Sequence, residues 1–314
     1  MSGNRLPVRE LTGILKAGGI FLEEPMARHT SFRIGGPAAV FAEPAGEEEA
    51  AALLAFLCGE KIPHIVVGNG SNLLVSDEGY DGVVVHFGKN MGLLAETDDG
   101  FRAGAGFMLS ALSRAAQVRG LAGLAFASGI PGSFGGACIM NAGAYGGEMK
   151  DVLTCVSVIG SDGNVRELAG EEMALSYRNS RMKKEGYTVL SGTVRLTAGD
   201  AEEIAKEMEE LAEKRREKQP LSLPSAGSTF KRPEGYFAGK LISDAALKGA
   251  RIGGASVSTL HAGFIVNDGE ASAEDVRSLI AMVQARVFEM SGVLLEPEVE
   301  FLGNFRTPLM EIRK

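Results

Sequence analysis

Three short segments of the sequence carry side chains that could do chemistry. LSYRNSRMK gathers Tyr177, Arg178, Asn179, Ser180 and Arg181, and an arginine there is a candidate carboxylate clamp because its planar fork pairs bidentately. A solvated loop arginine accounts for the same residues. PSAGSTFKRP, Pro224 to Pro233, is a small-residue turn presenting Ser225, Ser228, Thr229 and Lys231, which can expose a hydroxyl. The chain has no GxSxG elbow and the nearest histidine, His261, is far along the chain, so a hydrolase triad has little support. A serine acting as a proton donor needs no such partner, although spacing does not prove one. In VLLEPEVEFLG, Glu296, Glu298 and Glu300 alternate with Leu295, Val299 and Phe301, as on the two faces of a strand. Either all three acids meet water or one of them enters a site.

Two glycine-rich stretches could hold a ligand for these groups. SGIPGSFGGACIMNAGAYGG, Ser128 to Gly147, reads as a cofactor cradle, because glycine permits positive φ and close approach of backbone N–H groups. Tight turns between short strands are the plainer reading. Gly68-Asn69-Gly70-Ser71-Asn72 follows the strand-like HIVVG and is rich in donors that can bind a pyrophosphate without a basic cluster. Leu73 occupies the last glycine position of a GxGxxG fingerprint, and LLVSDEGYDGVVVHF then reads as strand, turn and strand, which disfavours a Rossmann site. Gly104-Ala105-Gly106 fails the same test at Leu109, and GYFAGKL is one residue short of a Walker A loop.

The elements that must position these groups are read from periodicity and breakers. Val8, Leu11, Ile14 and Leu15 predict a short capping helix within residues 1–20, and HTSFRIGGPA an edge strand and hairpin. Three glutamates open a helix over Glu47 to Cys58, His64 to Gly68 is a buried strand, and a helix covers Leu109 to Arg119. VSVIG, SDGN and NVREL form a hairpin, and YTVLSGTVRL is a strand. Asp200 caps the helix that follows it, with Glu203 at the capping-box position, and a domain boundary falls near residue 200. A last helix runs from Ala273 to Met290.

The 314 residues allow two or three packed units. Apolar residues make up 45% and charged residues 23%, and the net charge of −8 offers no basic surface for nucleic acid or cationic face for membrane lipids. The chain shows no membrane-length apolar run and no export signal in MSGNRLPVRE, so a cytoplasmic, soluble protein is expected. Cys58, Cys138 and Cys155 lack metal spacing and read as buried structural thiols, with no metal expected.

Seven segments in order (HTSFRIGGPA, GNGSNLLV, SGIPGSFGGACIMNAGAYGGE, LSYRNSRMK, SAGSTFK, HAGFIVNDGEASAEDV and LEPEVEFLG) resemble the UDP-N-acetylenolpyruvoylglucosamine reductase (MurB) family over nearly the whole chain. The resemblance implies an α+β fold: a two-subdomain FAD-binding unit of the vanillyl-alcohol-oxidase (PCMH) type over residues 21–199 (about 21–87 and 88–199), then an α+β substrate-binding domain over 200–314. It implies non-covalent FAD held by Arg33, by Gly68, Asn69, Gly70, Ser71, Asn72 and Leu73, by Ser128, Gly129, Ile130, Gly132, Gly135 and Gly136, and by Asn141, Ala142, Gly143, Ala144, Tyr145 and Gly146.

By the same resemblance Arg178, Ser228 and Glu298 are catalytic, and Tyr177, Lys218, Lys231 and Arg232 meet a small-molecule substrate, UDP-N-acetylglucosamine enolpyruvate. NADPH would reduce the flavin and leave before the enolpyruvyl ether enters. Hydride would then reach C3, Arg178 and Glu298 would bind or polarise the developing enolate, and Ser228 would protonate C2. No room exists between Arg178 and Ser228 for the extra loop of the longer subclass, so the short, type II form is implied, as a monomer. Leu260 and Gly263 around His261, and Arg232 in place of an asparagine, depart from the family pattern. Another FAD oxidoreductase of this fold, acting on a hydroxy acid or alcohol, is the alternative.

Overall fold

The computed structural model describes residues 6–311, so the first five residues of the expected N-terminal segment lie outside the described residues. Two compact units are present. The first contains the chain up to Leu22, Val40–Asn69 and Gly82–Lys214; the second contains Glu23–Ala39, Gly70–Asp81 and the chain from Arg215 on.

The first unit opens with the short helix Val8–Ile14, as its apolar spacing predicts. A four-stranded sheet has the order Gly19–Pro25, Pro37–Glu43, Tyr80–His86, His64–Val67. The last two strands run parallel, His64 opposite Val83. His64–Val67 is an edge strand, which is why His64, Ile65 and Val66 are half-buried rather than buried as the apolar run suggested. A five-stranded sheet has the order Val165–Ala169, Leu153–Ile159, Thr188–Arg195, Gly100–Gly104, Leu94–Thr97. Its hairpin pairs Ile159 with Val165, as the SDGN turn predicts. Helices Glu47–Gly59 and Leu109–Val118 contribute Leu53, Leu57, Leu109 and Leu112 to a core that includes Phe101 and Phe134.

The second unit is built on the helix Ala273–Ser291. Ser272 caps it and Asp275 closes a capping box, while Gly292, at φ 70°, ends it in the left-handed conformation. Val276, Leu279, Ile280, Val283 and Val287 face one way and are buried with Phe32, Leu74, Ile242, Leu295 and Val299. Each such side chain contributes about 1.5–3 kcal/mol by leaving water. A three-stranded antiparallel sheet, Arg251–Ile252, Ala255–Val257 and Ile265–Asn267, lies in the same unit, with the helix Ala238–Asp244.

Leu73–Val75 and Tyr80–His86 are both strands, as LLVSDEGYDGVVVHF predicts, and they are not partners: Leu73–Val75 runs parallel to Glu300–Leu302, with Leu73 opposite Glu300. HTSFRIGGPA is a turn and not an edge strand. The Thr30 hydroxyl accepts from Ile34 N–H and donates to Ile34 C=O, and Arg33 sits at φ 56°, so the strand begins only at Pro37. Of VLLEPEVEFLG, only Glu300–Leu302 is regular strand, though Leu295 and Val299 are buried and Glu296 and Glu300 exposed as the alternation predicts.

Candidate active site

In the first unit the glycine stretch contains a helix, Phe134–Ile139, and a hairpin pairing Gly143–Ala144 with Gly147–Glu148. Tyr145 and Gly146 form the hairpin turn, with φ 52° and 95°, the left-handed pair that a two-residue turn between twisted strands requires. Gly135, Gly143 and Gly147 serve the chain's own packing. A Cβ on Gly135 would lie 2.7 Å from Ala105 Cβ, and one on Gly147 2.6 Å from Phe126. The first helical N–H groups are also engaged, Phe134 with Phe107 C=O at 2.7 Å and Gly135 with Ala105 C=O at 2.9 Å. Gly136 differs. It is exposed, helical, and a Cβ would find only Ser133 Oγ at 3.5 Å. Glycine in a helix costs about 0.5–1 kcal/mol against alanine, so an exposed one with room to spare fits a flat ligand lying against it.

The Arg178 turn is tied to the same stretch. Ser176 and Asn179 exchange two backbone hydrogen bonds of 3.0 Å, and Arg178 between them has φ 52° with its guanidinium 5.2 Å from the Tyr177 ring. Buried Asn141 holds this turn. Its Nδ2 donates to Ser176 C=O at 3.2 Å and to Glu148 Oε2 at 2.7 Å, and its Oδ1 accepts from Lys150 N–H at 2.9 Å. On the other side Ser180 Oγ donates to Ile139 C=O at 2.7 Å. Glu148 in turn pairs with Lys150, whose ammonium is held above its ordinary range first by that hydrogen bond. Cys138, fully buried nearby, has its thiol pushed up by desolvation, which suits a structural role.

The donor-rich loop begins in the first unit. Gly68 has no Cβ because Ser133 Oγ occupies that space, and Asn69 Nδ2 donates to Pro131 C=O. In the second unit, Gly70 at φ 57° lies against His29 C=O, and its own carbonyl accepts from Ser31 N–H. The N–H groups of Gly70, Ser71 and Asn72 donate to no acceptor among the described residues. Three successive free amides suit a pyrophosphate.

Ser228, half-buried, follows Gly227 at φ 74° in a segment pinned on two sides. Ser225 bridges Val266, and Phe230 bridges Pro297. Thr229, fully buried, donates its N–H to Gly263 C=O at 2.8 Å, accepts Ile265 N–H on Oγ1 at 3.0 Å, and accepts Glu298 N–H on its C=O at 2.8 Å. Hence the backbone of Glu298 is hydrogen-bonded to the residue next to Ser228. Asn72 Nδ2 donates to Glu298 C=O at 2.9 Å.

A family model described as FAD binding domain matches residues 37–169, and one described as UDP-N-acetylenolpyruvoylglucosamine reductase, C-terminal domain, matches residues 219–302. The UDP-N-acetylenolpyruvoylglucosamine reductase of Caldanaerobacter subterraneus subsp. tengcongensis is 51% identical over 296 residues, 94% of this chain and 98% of that one. Its counterpart from Clostridioides difficile is 47% identical over 293 residues, 93% and 96% of the two chains. The chain belongs to the UDP-N-acetylenolpyruvoylglucosamine reductase (MurB) family. The crystal structure of MurB from Thermus caldophilus matches with a TM-score of 0.77 at 37% identity, over 91% of this chain and 99% of that one.

For this MurB-family chain, the positions expected to meet substrate have particular surroundings. Lys231 is ion-paired with Glu296. Arg232 stacks 4.0 Å from the exposed Phe237 ring and donates to Tyr236 C=O at 3.3 Å. Tyr177 is exposed, as is Lys218 in the last turn of the helix Ala201–Lys218, which Asp200 caps through the amides of Glu202 and Glu203. Arg33 is exposed in its turn. Sequence reading took Asn72 and Asn141 for ligand donors and missed their carboxamide ties within the protein. The only local signal was at Asn141, an asparagine beside small residues that tolerates its φ of 42°.

Proposed function

We propose that Arg178, Ser228 and Glu298 carry the family reaction in this chain, the NADPH-dependent reduction of UDP-N-acetylglucosamine enolpyruvate to UDP-N-acetylmuramate for peptidoglycan precursors. The chain is an FAD-dependent oxidoreductase of the MurB family. The backbone hydrogen bond between Glu298 and Thr229 carries the residue assignment, since it holds the glutamate to the segment of the serine.

Bound without a covalent link, FAD supplies the relay of reducing equivalents from NADPH to the enolpyruvyl group. The amides of Gly70, Ser71 and Asn72 would hold its pyrophosphate, and Gly136 leaves room for its ring system. Arg178 pairs with the substrate carboxylate through its planar fork, favouring the charge that develops as the double bond is reduced. Ser228 delivers a proton to C2. Glu298 polarises the same group and needs a compensating charge or proton there, because two bare carboxylates repel. Arg232 and Lys218 are cations suited to the diphosphate.

Residues 21–199 hold the cofactor and residues 200–314 the substrate in this reading, which takes the enzyme to be a cytoplasmic monomer. A net charge of −8 accords with it, and no described helix is long and apolar enough to cross a membrane. The test is direct. Purified protein should be yellow, NADPH should bleach it, and the enolpyruvyl substrate should restore the colour with NADPH consumption. A protein that binds no FAD would overturn the proposal, and a yellow protein that oxidises a hydroxy acid but ignores the enolpyruvyl substrate would favour the alternative oxidoreductase.

A further inference from the structure

Glu298 is held at both backbone polar groups by different parts of the second unit. Its N–H donates to Thr229 C=O at 2.8 Å, and its C=O accepts Asn72 Nδ2 at 2.9 Å. Asn72 also accepts Glu300 N–H on its own C=O at 2.9 Å, at the start of the parallel pairing of Leu73 with Glu300. One residue of the pyrophosphate-type loop therefore brackets the glutamate from two sides: its carboxamide reaches residue 298 and its carbonyl residue 300.

The chemistry of the asparagine suits this. A carboxamide donates a neutral hydrogen bond at fixed reach, whereas serine is too short and aspartate would set an oxygen against the Glu298 carbonyl. The side chain of Asn72 makes no other hydrogen bond among the described residues, while its N–H remains available to an anion. A regular parallel pairing does not require this contact, because the ladder between residues 73–75 and 300–302 is complete without it.

We infer that Asn72 is a positioning residue for Glu298: its carboxamide fixes the glutamate's backbone to the cofactor loop, so that the loop sets where the carboxylate is presented. The inference rests on the assignment of Glu298 as a catalytic residue. It acts on the second half-reaction only, because Glu298 serves the enolpyruvyl group and not the reduction of the cofactor.

The experiment compares Asn72→Ala, Asn72→Asp, Glu298→Gln and the double variant Asn72→Ala/Glu298→Gln in the FAD-loaded enzyme, with FAD affinity of each apoprotein measured by flavin fluorescence. Asn72→Ala should slow reoxidation by saturating enolpyruvyl substrate by about 10- to 100-fold, the scale of a small misplacement, and by several times more than it changes FAD affinity or reduction by NADPH. Asn72→Asp has the same volume and should be no better than Asn72→Ala, whereas a packing role would be rescued. In the Glu298→Gln background the Asn72→Ala loss should shrink to less than about 2-fold, since coupled residues are not additive. Full additivity, or a fall in FAD affinity that accounts for the rate, would overturn the inference while leaving Glu298 in its role. A Glu298→Gln enzyme that reduces the substrate at the normal rate would overturn both.

Discussion

The amide of Glu298 donates to the carbonyl of Thr229 at 2.8 Å, joining the segments of the proposed catalytic glutamate and the proposed proton donor, Ser228, through backbone alone. Ser228→Ala should therefore be a clean test, because neither its neighbours' hydrogen bonds nor the bridges at Ser225 and Phe230 involve its hydroxyl. We expect reduction by NADPH to continue and enolpyruvyl reduction to fall by about 10²-fold or more, as for a lost general acid. Stopped-flow measurement of each half-reaction decides it. Equal losses in both would remove Ser228 from the role.

Arg178 occupies φ 52°, a conformation that a side chain bears at a cost of about 1–2 kcal/mol and glycine does not. Arg178→Gly should leave the melting temperature unchanged or raised while lowering kcat/KM for the enolpyruvyl substrate by about 10²-fold or more, the scale of a lost charge-stabilising group. A variant that unfolds earlier but turns over normally would mark the arginine as structural.

Asn141 is buried and makes three hydrogen bonds, two of which anchor Glu148 and the Arg178 turn. Asn141→Ala leaves the Lys150 N–H without its acceptor and takes one of two donors from the Ser176 carbonyl, which keeps the Asn179 N–H, at a cost of about 1–3 kcal/mol. Denaturant unfolding should show that loss. Arg178→Gly should not.

Two glycines separate ligand room from internal packing. Gly147→Ala drives a methyl against Phe126 and should destabilise the apoprotein by about 1–3 kcal/mol. Gly136→Ala should keep or slightly raise apoprotein stability, since alanine is the better helix former, yet weaken FAD binding. Calorimetry of the apoprotein with a flavin titration distinguishes them. Unchanged FAD affinity in Gly136→Ala would mean that nothing lies against that face.

His261 predicts a pH effect. Its Nδ1 accepts from Gly263 N–H at 3.1 Å, which requires the neutral ring, and desolvation, followed by the Lys248 charge, holds its pKa below the usual 6.5. The unfolded chain binds the proton first as pH falls, so stability is full above pH 6.5 and declines as pH drops toward the folded pKa. His261→Asn keeps an acceptor near Nδ1 and should flatten that decline in melting temperature. An identical decline in the variant would assign it to other groups.

What could be read from the chain without its structure was local. The cap at Asp200, the apolar stripe from Val276 to Val287 and the SDGN hairpin all express preferences that act over one or two turns of backbone. The residues proposed for the site come from contiguous motifs, as at Ser228 and Arg178. The sequence was illegible where the reason for a residue lies far away: Gly70 faces the His29 carbonyl, Gly135 faces Ala105, and Asn72 reaches Glu298.

The order of residues alone determined the main helices and the SDGN hairpin, the donor-rich loops and, through resemblance, the family and its chemistry. Only the tertiary structure decided that Leu73–Val75 pairs with Glu300–Leu302 instead of with the strand that follows it. The same holds for Glu298, whose backbone is held by Thr229 and Asn72. Capping and periodicity are short-range and leave a mark in neighbouring residues. Which distant backbones share a hydrogen bond depends on which buried surfaces come together, and no spacing along the chain records that.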